Sequence, residues 1–248
     1  AIVSGNSGAT SQIQASSFTV TNCYTQAVLL DATNGTTKNI VVTNFTVYNN
    51  QHAGIAINDG VTDSCVSNAV IDCNTSVWDA VAIRDAKRIS IVNVIGRRCR
   101  NGLYIQYGTF MCEDITISSC VFDTNQQNGV LILSAKRVNI ANVICKNNDQ
   151  SGAGYSGFNI AKSSSGSNCS YVTLSSCLAV DDQGIPTQEY GYYIAASPTK
   201  ILICGCSAVN NVVNAVYLAG TVGISEVLII QGSGVDMRGT LHWNVPSS

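Results

Sequence analysis

The amino-acid sequence predicts an all-β fold, a right-handed single-stranded parallel β-helix of about nine coils. Three observations predict it: a composition of strand and turn formers, a repeat of mostly 22–26 residues, and apolar strands at fixed places within that repeat. The 248 residues are a usual size for one all-β domain. We expect an opening segment at 1–14, coils over 15–235 and a terminal segment at 236–248, together forming a fragment of a longer protein.

The composition favours strands and turns and argues against two classes of partner. Hydrophobic residues make up 46% of the chain and charged residues only 11%. Abundant Val, Ile and Thr favour strands, whereas Asn, Gly and Ser favour turns. A net charge of −2 provides no basic field for nucleic acid. No apolar run reaches the length of a membrane-spanning segment, so we expect neither nucleic-acid binding nor membrane insertion.

Each repeat contains two short apolar elements separated by a polar turn. The first element ends at a position that is Asn or Ser in most repeats, and Asn tolerates the left-handed backbone of a tight bend. Asn side chains at this position should form an amide ladder, because stacked coils lie about 4.8 Å apart. The predicted bend column is Asn22, Asn44, Asn68, Asn93, Ser119, Asn142, Ser176, Gly205 and Gln231.

The second element opens with Gly or Ala in most repeats and alternates its side chains between the core and the outside. Its outward positions are partly apolar, which predicts that a ligand, a loop or another chain covers them. The inward column is Ile55, Val81, Leu103, Val130, Phe158, Tyr192 and Val216. The outward column is Ala56, Ala82, Tyr104, Leu131, Asn159, Tyr193 and Tyr217.

The eleven cysteines are expected to be mostly free, buried thiols. Side chains on adjacent parallel coils are poorly placed for a disulfide, and Cys204 and Cys206 are the expected exceptions. Free thiols indicate folding in a reducing compartment. No CxxC pair or His–Cys spacing is present, so we expect no metal site and no cofactor. Four cysteines are predicted to form one core-facing column after the bend: Cys23, Cys120, Cys177 and Cys206.

The repeat over about residues 15–235 resembles the pectin-lyase-like β-helix superfamily, which includes pectate lyases, polygalacturonases and phage tailspikes. The stretch WDAVAIRDAKRISIVNV (78–94) is similar to the strand–turn–strand unit of pectate lyases. Of the polygalacturonase motifs only the D-D pair has a match, at Asp181–Asp182, and the Arg-Pro and calcium-binding motifs of pectate lyases are absent. The chain most resembles a tailspike β-helix domain, which implies a homotrimer on a virion or other extracellular surface that folds in a bacterial cytoplasm.

Two consecutive loops before the second element, 146–155 and 181–190, are longer than the others and should lie side by side. Glycoside hydrolysis uses two carboxylates, so we predict Asp182 as the catalytic acid or base with Glu189 as its partner, and Asp181 and Asp149 as alternates. Tyrosines on a groove floor suit stacking against sugar rings. The predicted sugar-binding residues are Tyr104, Tyr155, Tyr190, Tyr193, Tyr217 and Asp123.

The favoured function is a tailspike-like glycan depolymerase, a glycoside hydrolase or polysaccharide lyase that binds and degrades a bacterial surface polysaccharide. Two alternatives stay open. One is a non-catalytic receptor-binding or fibre module, in which the candidate acids are solvated loop residues and the tyrosines are exposed strand formers. The other is a secreted enzyme similar to pectate lyases or polygalacturonases, in which the cysteines should be paired.

Overall fold

The computed structural model describes residues 2–4, 8–33, 35–74, 77–195, 198–219 and 227–230, so the terminal segment 236–248 and Gln231 lie outside the described residues. These residues form twenty-four strands and no helix, and every strand pair is parallel. The all-β prediction is therefore confirmed. The described part contains no helix that is long and apolar enough to cross a membrane.

One strand from every coil stacks into a nine-stranded sheet, which we call the groove sheet. It contains the predicted second elements, and its nine strands agree with the expected number of coils. In stacking order the strands are β1 (Ile2–Ser4), β4 (Val28–Asp31), β7 (Ile55–Asn58), β9 (Val81–Arg84), β11 (Leu103–Gln106), β14 (Val130–Leu133), β17 (Ser156–Ala161), β20 (Tyr190–Ile194) and β23 (Asn214–Leu218).

The remaining two sides of each coil form a fifteen-stranded composite sheet. In β8 and β10 one long strand covers both sides, whereas later coils divide the two sides into separate strands. The strands are β2 (Gly8–Ser11), β3 (Gln14–Thr21), β5 (Gly35–Lys38), β6 (Val41–Tyr48), β8 (Thr62–Asp72), β10 (Lys87–Arg97), β12 (Cys112–Ser118), β13 (Val121–Asp123), β15 (Ala135–Ala141), β16 (Ile144–Lys146), β18 (Ser170–Ser175), β19 (Leu178–Val180), β21 (Thr199–Cys204), β22 (Ser207–Val209) and β24 (Val227–Ile230).

The predicted bend column is left-handed from Asn44 to Gly205, with φ between 51° and 60°. Asn93 donates to Asn68 over 2.9 Å, and Asn68 donates to Asn44 over 3.2 Å, which confirms the amide ladder in these coils. The assignment of Asn22 to this column is wrong. β3 pairs Phe18 with Phe45, so Ser17 (φ 58°) occupies the bend.

Asn22 instead belongs to a second left-handed bend, one corner further along the coil, where it accepts a hydrogen bond from Asn49 over 2.6 Å. The assignment of Cys23 to the core-facing thiol column fails for the same reason. Phe18 occupies that position and stacks on Phe45, with ring centroids 4.9 Å apart. The repeated T-N letters at 21–22 and 43–44 mark two different corners, and only the apolar phase of the strand distinguishes them.

A third left-handed column carries charges of alternating sign on the exposed edge of the composite sheet. Its members are register neighbours in successive coils, at Asp63, Arg88, Asp114 and Arg137. Arg88 pairs with Asp63, and Arg137 pairs with Asp114, each with an Nη2–Oδ2 distance of 2.9 Å. Opposite charges on adjacent strands favour this alignment.

The core is a continuous column of apolar side chains inside the coils. All seven predicted inward residues of the groove sheet are at most 1% exposed, which confirms the alternation. Phe158 and Tyr192 stack inside successive coils, and the single Tyr192 O–H lies within hydrogen-bond distance of the Cys177 and Ser207 carbonyls. Apolar burial therefore extends along the stack, as expected for a solenoid.

Nine of the eleven cysteines are free, as expected for most of them, but the expected exceptions are wrong. Cys204 and Cys206 are free, and the disulfide joins Cys73 to Cys99. These two residues lie in adjacent coils with Cα atoms 4.9 Å apart. They stand just after the strands, where the chain bends, so the parallel-ladder argument against disulfides does not apply to them.

Candidate functional site

The outer face of the groove sheet forms a groove along the stack. Its floor is the predicted outward column, whose members are register partners from coil to coil. Six coil spacings separate Ala56 from Tyr217, about 29 Å at about 4.8 Å per coil. All seven side chains are partly exposed except Ala56, which is 3% exposed.

One rim of the groove is a column of residues that stand two positions before a Gly or Ala at the start of seven groove-sheet strands, from β7 to β23. Backbone hydrogen bonds link neighbouring members, from the Arg100 N–H to the Trp78 carbonyl and from the Gln127 N–H to the Arg100 carbonyl, each over 2.7 Å. We call this set the rim column. It contains His52, Trp78, Arg100, Gln127, Tyr155, Glu189 and Val213.

At the N-terminal end of the groove, floor and rim enclose a cleft of about 290 Å³, which we call the N-terminal cleft. Three successive loops, before β7, β9 and β11, supply its wall, and the parallel stacking of the coils places these loops side by side. The residues important for its chemistry are His52, Trp78, Asp79, Arg84, Arg100 and Tyr104.

Asp79 anchors the wall of the N-terminal cleft. It is 2% exposed and accepts hydrogen bonds from Arg100 Nε over 3.0 Å and Arg100 Nη2 over 2.6 Å. Asn101 adds its side-chain amide at 2.8 Å. A carboxylate engaged by this many donors fixes the position of the guanidinium, so Asp79 is a positioning residue and not a free acid or base.

Aromatic and cationic groups form one continuous stack along the wall. The His52 ring stacks on Trp78 with centroids 3.8 Å apart. The Arg100 guanidinium lies 5.7 Å from the Trp78 ring and 5.6 Å from the Tyr104 ring, within the range of cation–π attraction. Flat surfaces of this kind present an apolar face beside polar donors, as a sugar ring does.

The electrostatics of the N-terminal cleft favour a neutral histidine. Burial lowers the pKa of His52 below its usual 6.5, although Asp79 partly opposes this shift. Burial, reinforced by Asp79 and opposed by Arg100, raises the pKa of Tyr104, which therefore keeps its proton. Among the described residues that line this cleft, His52 Nδ1 and Arg84 Nε are buried without hydrogen-bond partners. A ligand in the cleft would be placed to satisfy such groups.

Two of the four predicted acids have structural tasks. Asp149 is 1% exposed and accepts the backbone N–H groups of Ala153, Gly154 and Tyr155 within 2.9 Å. Asp181 is fully buried and accepts the N–H groups of Thr187 and Gln188 at 2.7 and 2.8 Å. Both carboxylates thus shape the long loops that carry them.

Asp182 and Glu189, the predicted catalytic pair, lie in different surroundings, and their catalytic assignment stays a prediction. Asp182 pairs with Lys146 over 2.9 Å and accepts the Asn147 amide over 2.8 Å, contacts that lower its pKa. Asp182 is absent from the described residues that line the cleft beside Glu189. Asp123 ends β13, away from the groove floor. Burial raises its pKa, and the nearby Asp182 adds to this shift.

Glu189 lines a second, open cleft of about 520 Å³, which we call the C-terminal cleft, together with Gly154, Pro186, Val212 and Val213. Beside it on the groove sheet is a group of three predicted sugar-binding residues, the tyrosine cluster Tyr190, Tyr193 and Tyr217. Their ring centroids are 4.9–5.5 Å apart.

The other two predicted sugar-binding tyrosines also lie on the groove. The Tyr155 hydroxyl accepts a hydrogen bond from Gln127 over 3.0 Å on the rim, and Tyr104 belongs to the N-terminal cleft. The predicted tyrosines therefore do line one groove.

Sequence analysis missed His52, Arg84 and Arg100, which come from three different coils. A signal was present: His52, Trp78 and Arg100 each stand two residues before the Gly or Ala that precedes the second element. An alignment of the loops on this Gly or Ala identifies the rim column from the sequence. The described residues contain no group of three or more His, Cys, Asp or Glu side chains suited to a metal ion.

Comparison with known proteins identifies the fold and leaves the activity open. A family profile described as "Right handed beta helix region" matches residues 1–168. No curated protein has a significantly similar sequence.

Two solved structures match over most of this chain, each with a TM-score of 0.61. The mannuronan C-5 epimerase AlgE6 A-module of Azotobacter vinelandii is 12% identical, with 93% of this chain and 57% of that chain covered. ORF18 of Geobacillus virus E2 is 16% identical, with 89% of this chain and 51% of that chain covered. This chain thus spans little more than half the length of either structure.

Proposed function

Because this chain belongs to the right-handed β-helix family, we propose that it binds a polysaccharide along the outer face of the groove sheet and cleaves it in the N-terminal cleft. The observation that carries the proposal is the His52–Trp78–Arg100–Tyr104 stack in a cleft that holds two buried polar atoms without partners. Aromatic walls with a few convergent polar groups are typical of ligand sites.

The acid–base groups of the N-terminal cleft favour elimination over hydrolysis. Hydrolysis by the usual route needs two available carboxylates, and Asp79 is engaged by Arg100 and Asn101. A neutral imidazole and a protonated phenol form an acid–base pair. In this proposal His52 removes a proton from a sugar carbon acidified by a neighbouring carboxylate. The C–O bond to the leaving sugar breaks, a C=C bond forms, and Tyr104 protonates the leaving oxygen.

The biological setting we propose is a tailspike-like depolymerase that acts on a bacterial surface glycan as a homotrimer. The nine free cysteines support this setting, because they suit folding in a reducing cytoplasm, and in this proposal the Cys73–Cys99 disulfide forms after the protein leaves the cell. Sedimentation analysis should then give the mass of three copies of the chain. The mass of a single copy would contradict the proposed homotrimer.

The test is cleavage of alginate, polygalacturonate, hyaluronan and an acidic capsular polysaccharide panel. Elimination produces both new reducing ends and an ultraviolet-absorbing double bond, whereas hydrolysis produces reducing ends alone. His52→Ala should lower kcat/KM by about a hundredfold or more, as expected for loss of a general base. The matched control is Gln51→Ala, its exposed neighbour. Full activity of His52→Ala would exclude His52 as the base.

The pH dependence provides an independent check of the role of His52. Its pKa is lowered below 6.5, so the neutral, proton-accepting form persists at more acid pH than for an ordinary histidine. The acid limb of the kcat/KM profile should therefore have its midpoint below pH 6.5. This limb should be absent from the residual activity of His52→Ala. An acid limb that is unchanged in that variant would assign the titration to another group.

A further inference from the structure

The tyrosine cluster lies on the same groove as the N-terminal cleft but several coils away. The floor column continues from Tyr104 through Leu131 and Asn159 to Tyr193, and each step is a register pair. Three coil spacings place Tyr193 about 14 Å from Tyr104, and Tyr217 lies one coil further. A polymer bound in the N-terminal cleft and aligned with the stack would pass over these rings.

The surface between the two regions continues the same polar track. Asn159 Oδ1, halfway along the floor, is buried without a hydrogen-bond partner among the described residues. Along the rim, Gln127 donates to the Tyr155 hydroxyl, and the Glu189 N–H donates to the Tyr155 carbonyl over 2.9 Å. The groove thus presents amide and hydroxyl groups at successive coils, and a hydroxyl-rich chain would bond to them.

The tyrosine cluster is built for stacking. Tyr193 and Tyr217 are stacked with an interplanar angle of 20°, and Tyr190 lies 4.9 Å from Tyr217. Burial, together with a hydrogen bond to Glu189, raises the pKa of Tyr190 to about 12, so its phenol stays a donor. Aromatic faces with polar tips combine apolar contact and hydrogen bonding, which matches the two faces of a sugar ring.

The adjoining C-terminal cleft is better equipped for binding than for chemistry. Both oxygens of the Asp149 carboxylate accept backbone N–H groups of its own loop. Val212 and Val213 add apolar wall, and they are 55% and 48% exposed. Glu189 lines the same cleft, and its carboxylate accepts the hydrogen bond of Tyr190, so it stands beside the tyrosine rings as a hydrogen-bond acceptor.

We propose that the tyrosine cluster and Glu189 form a second, non-catalytic subsite that holds the same acidic polysaccharide chain downstream of the N-terminal cleft. This inference rests on the proposed polysaccharide-binding function. Its consequence is selectivity for chain length, because a di- or trisaccharide in the N-terminal cleft is too short to reach Tyr193, whereas a polymer engages both regions.

The test compares native protein with the double variant Tyr193→Ala/Tyr217→Ala. On whichever polymer of the panel is cleaved, KM should rise about tenfold or more while kcat stays unchanged. Kinetics on di- and trisaccharides prepared from that polymer should not change. Tyr193→Phe/Tyr217→Phe keeps the rings and should retain most of the affinity. Tyr171→Ala, an exposed tyrosine of the composite sheet, is the matched control.

Binding measured separately from cleavage distinguishes failure of this inference from failure of the proposed function. Electrophoresis through gels that contain alginate or polygalacturonate reports retention whether or not the glycan is cut. Retention that depends on Tyr193 and Tyr217 without any cleavage would support the subsite and overturn the catalytic proposal. Cleavage with an unchanged KM in the double variant, or an equal loss on short and long substrates, would overturn the subsite alone. The absence of both retention and cleavage would overturn both proposals.

Discussion

Gly102 illustrates how tightly the start of a groove-sheet strand packs against the next coil. It stands just before β11, and a Cβ built on it would lie 2.6 Å from the Gly129 carbonyl oxygen and against the Phe122 side chain. Gly129 repeats the arrangement one coil later, where a Cβ would meet Cys145 Sγ at 2.6 Å. Small residues at this position are thus required by packing and not by backbone conformation.

Gly102→Ala should destabilise the fold by about 2 kcal/mol, because the extra methyl has to displace Phe122 or the next coil. The measurement is the free energy of unfolding from denaturant titration followed by circular dichroism. Gly184→Ala is the matched control, since a Cβ there meets no atom within 4 Å. Equal stability of the two variants would contradict the packing explanation.

At the residue scale the sequence predicts the inward and outward columns well, whereas it does not show which loop carboxylates bind their own backbone. The apolar alternation correctly placed Ile55 through Val216 inside, because burial follows a period of two. Asp149 and Asp181 could not be assigned in the same way. Whether a loop carboxylate faces a substrate or binds its own backbone depends on the loop's path, which the letters KNNDQSGAGY and DDQGIPTQEY do not encode.

At the scale of elements, the disulfide joins the two loops that form most of the N-terminal cleft wall. Cys73 begins the loop that carries Trp78 and Asp79, and Cys99 begins the loop that carries Arg100. Arg98 adds an ion pair to the fully buried Asp72 between the same coils, over 2.5 Å. The geometry of the wall is therefore held both covalently and electrostatically.

Reduction of the disulfide, or Cys73→Ser/Cys99→Ser, should lower stability by about 3 kcal/mol, the usual contribution of a bridge that closes a loop of this size. It should also weaken polysaccharide retention more than loss of stability alone explains, since Arg100 and Trp78 lose a fixed separation. Thermal unfolding and affinity electrophoresis with and without dithiothreitol provide the two measurements. Cys23→Ser is the control, and a reductant effect that persists in the double serine variant would contradict this explanation.

The N-terminal cleft is difficult to predict from the sequence, because its residues come from different coils. Its wall takes residues from three loops that are about one repeat apart in the sequence. The loops 146–155 and 181–190 are predicted as a functional site from one sequence, because they are longer than the loops of the other repeats. Short loops that carry His52 and Arg100 at a shared register position are visible only after the coils are aligned.

At the scale of the whole molecule, the reactivity of the cysteines tests which of them are buried, exposed or paired in the fold. Six of the nine free cysteines are buried and three are partly exposed. Burial raises the pKa of Cys112 to about 12 and that of Cys120 to about 11. Since the thiolate is the reactive species, Cys112 and Cys120 are inert in the folded state, and burial keeps reagents from the other four.

Thiol titration should therefore give at most three fast-reacting groups in the native protein and nine after unfolding without reductant. Unfolding with reductant should give eleven, the full cysteine content. Mass spectrometry of the labelled chain assigns the positions. A count near one thiol in the unfolded, unreduced chain would indicate extensive pairing and favour a secreted enzyme over the tailspike-like setting.

In the column Asp63, Arg88, Asp114 and Arg137, coils with a negative residue alternate with coils with a positive residue. Loss of the single coil between Arg88 and Ile115 would bring Arg88 beside Arg137, placing like charges at neighbouring left-handed bends. Loss or gain of two coils would keep every contact between opposite signs. Because like charges directly opposite are unfavourable, this stretch should tolerate changes of length in pairs of coils better than single ones.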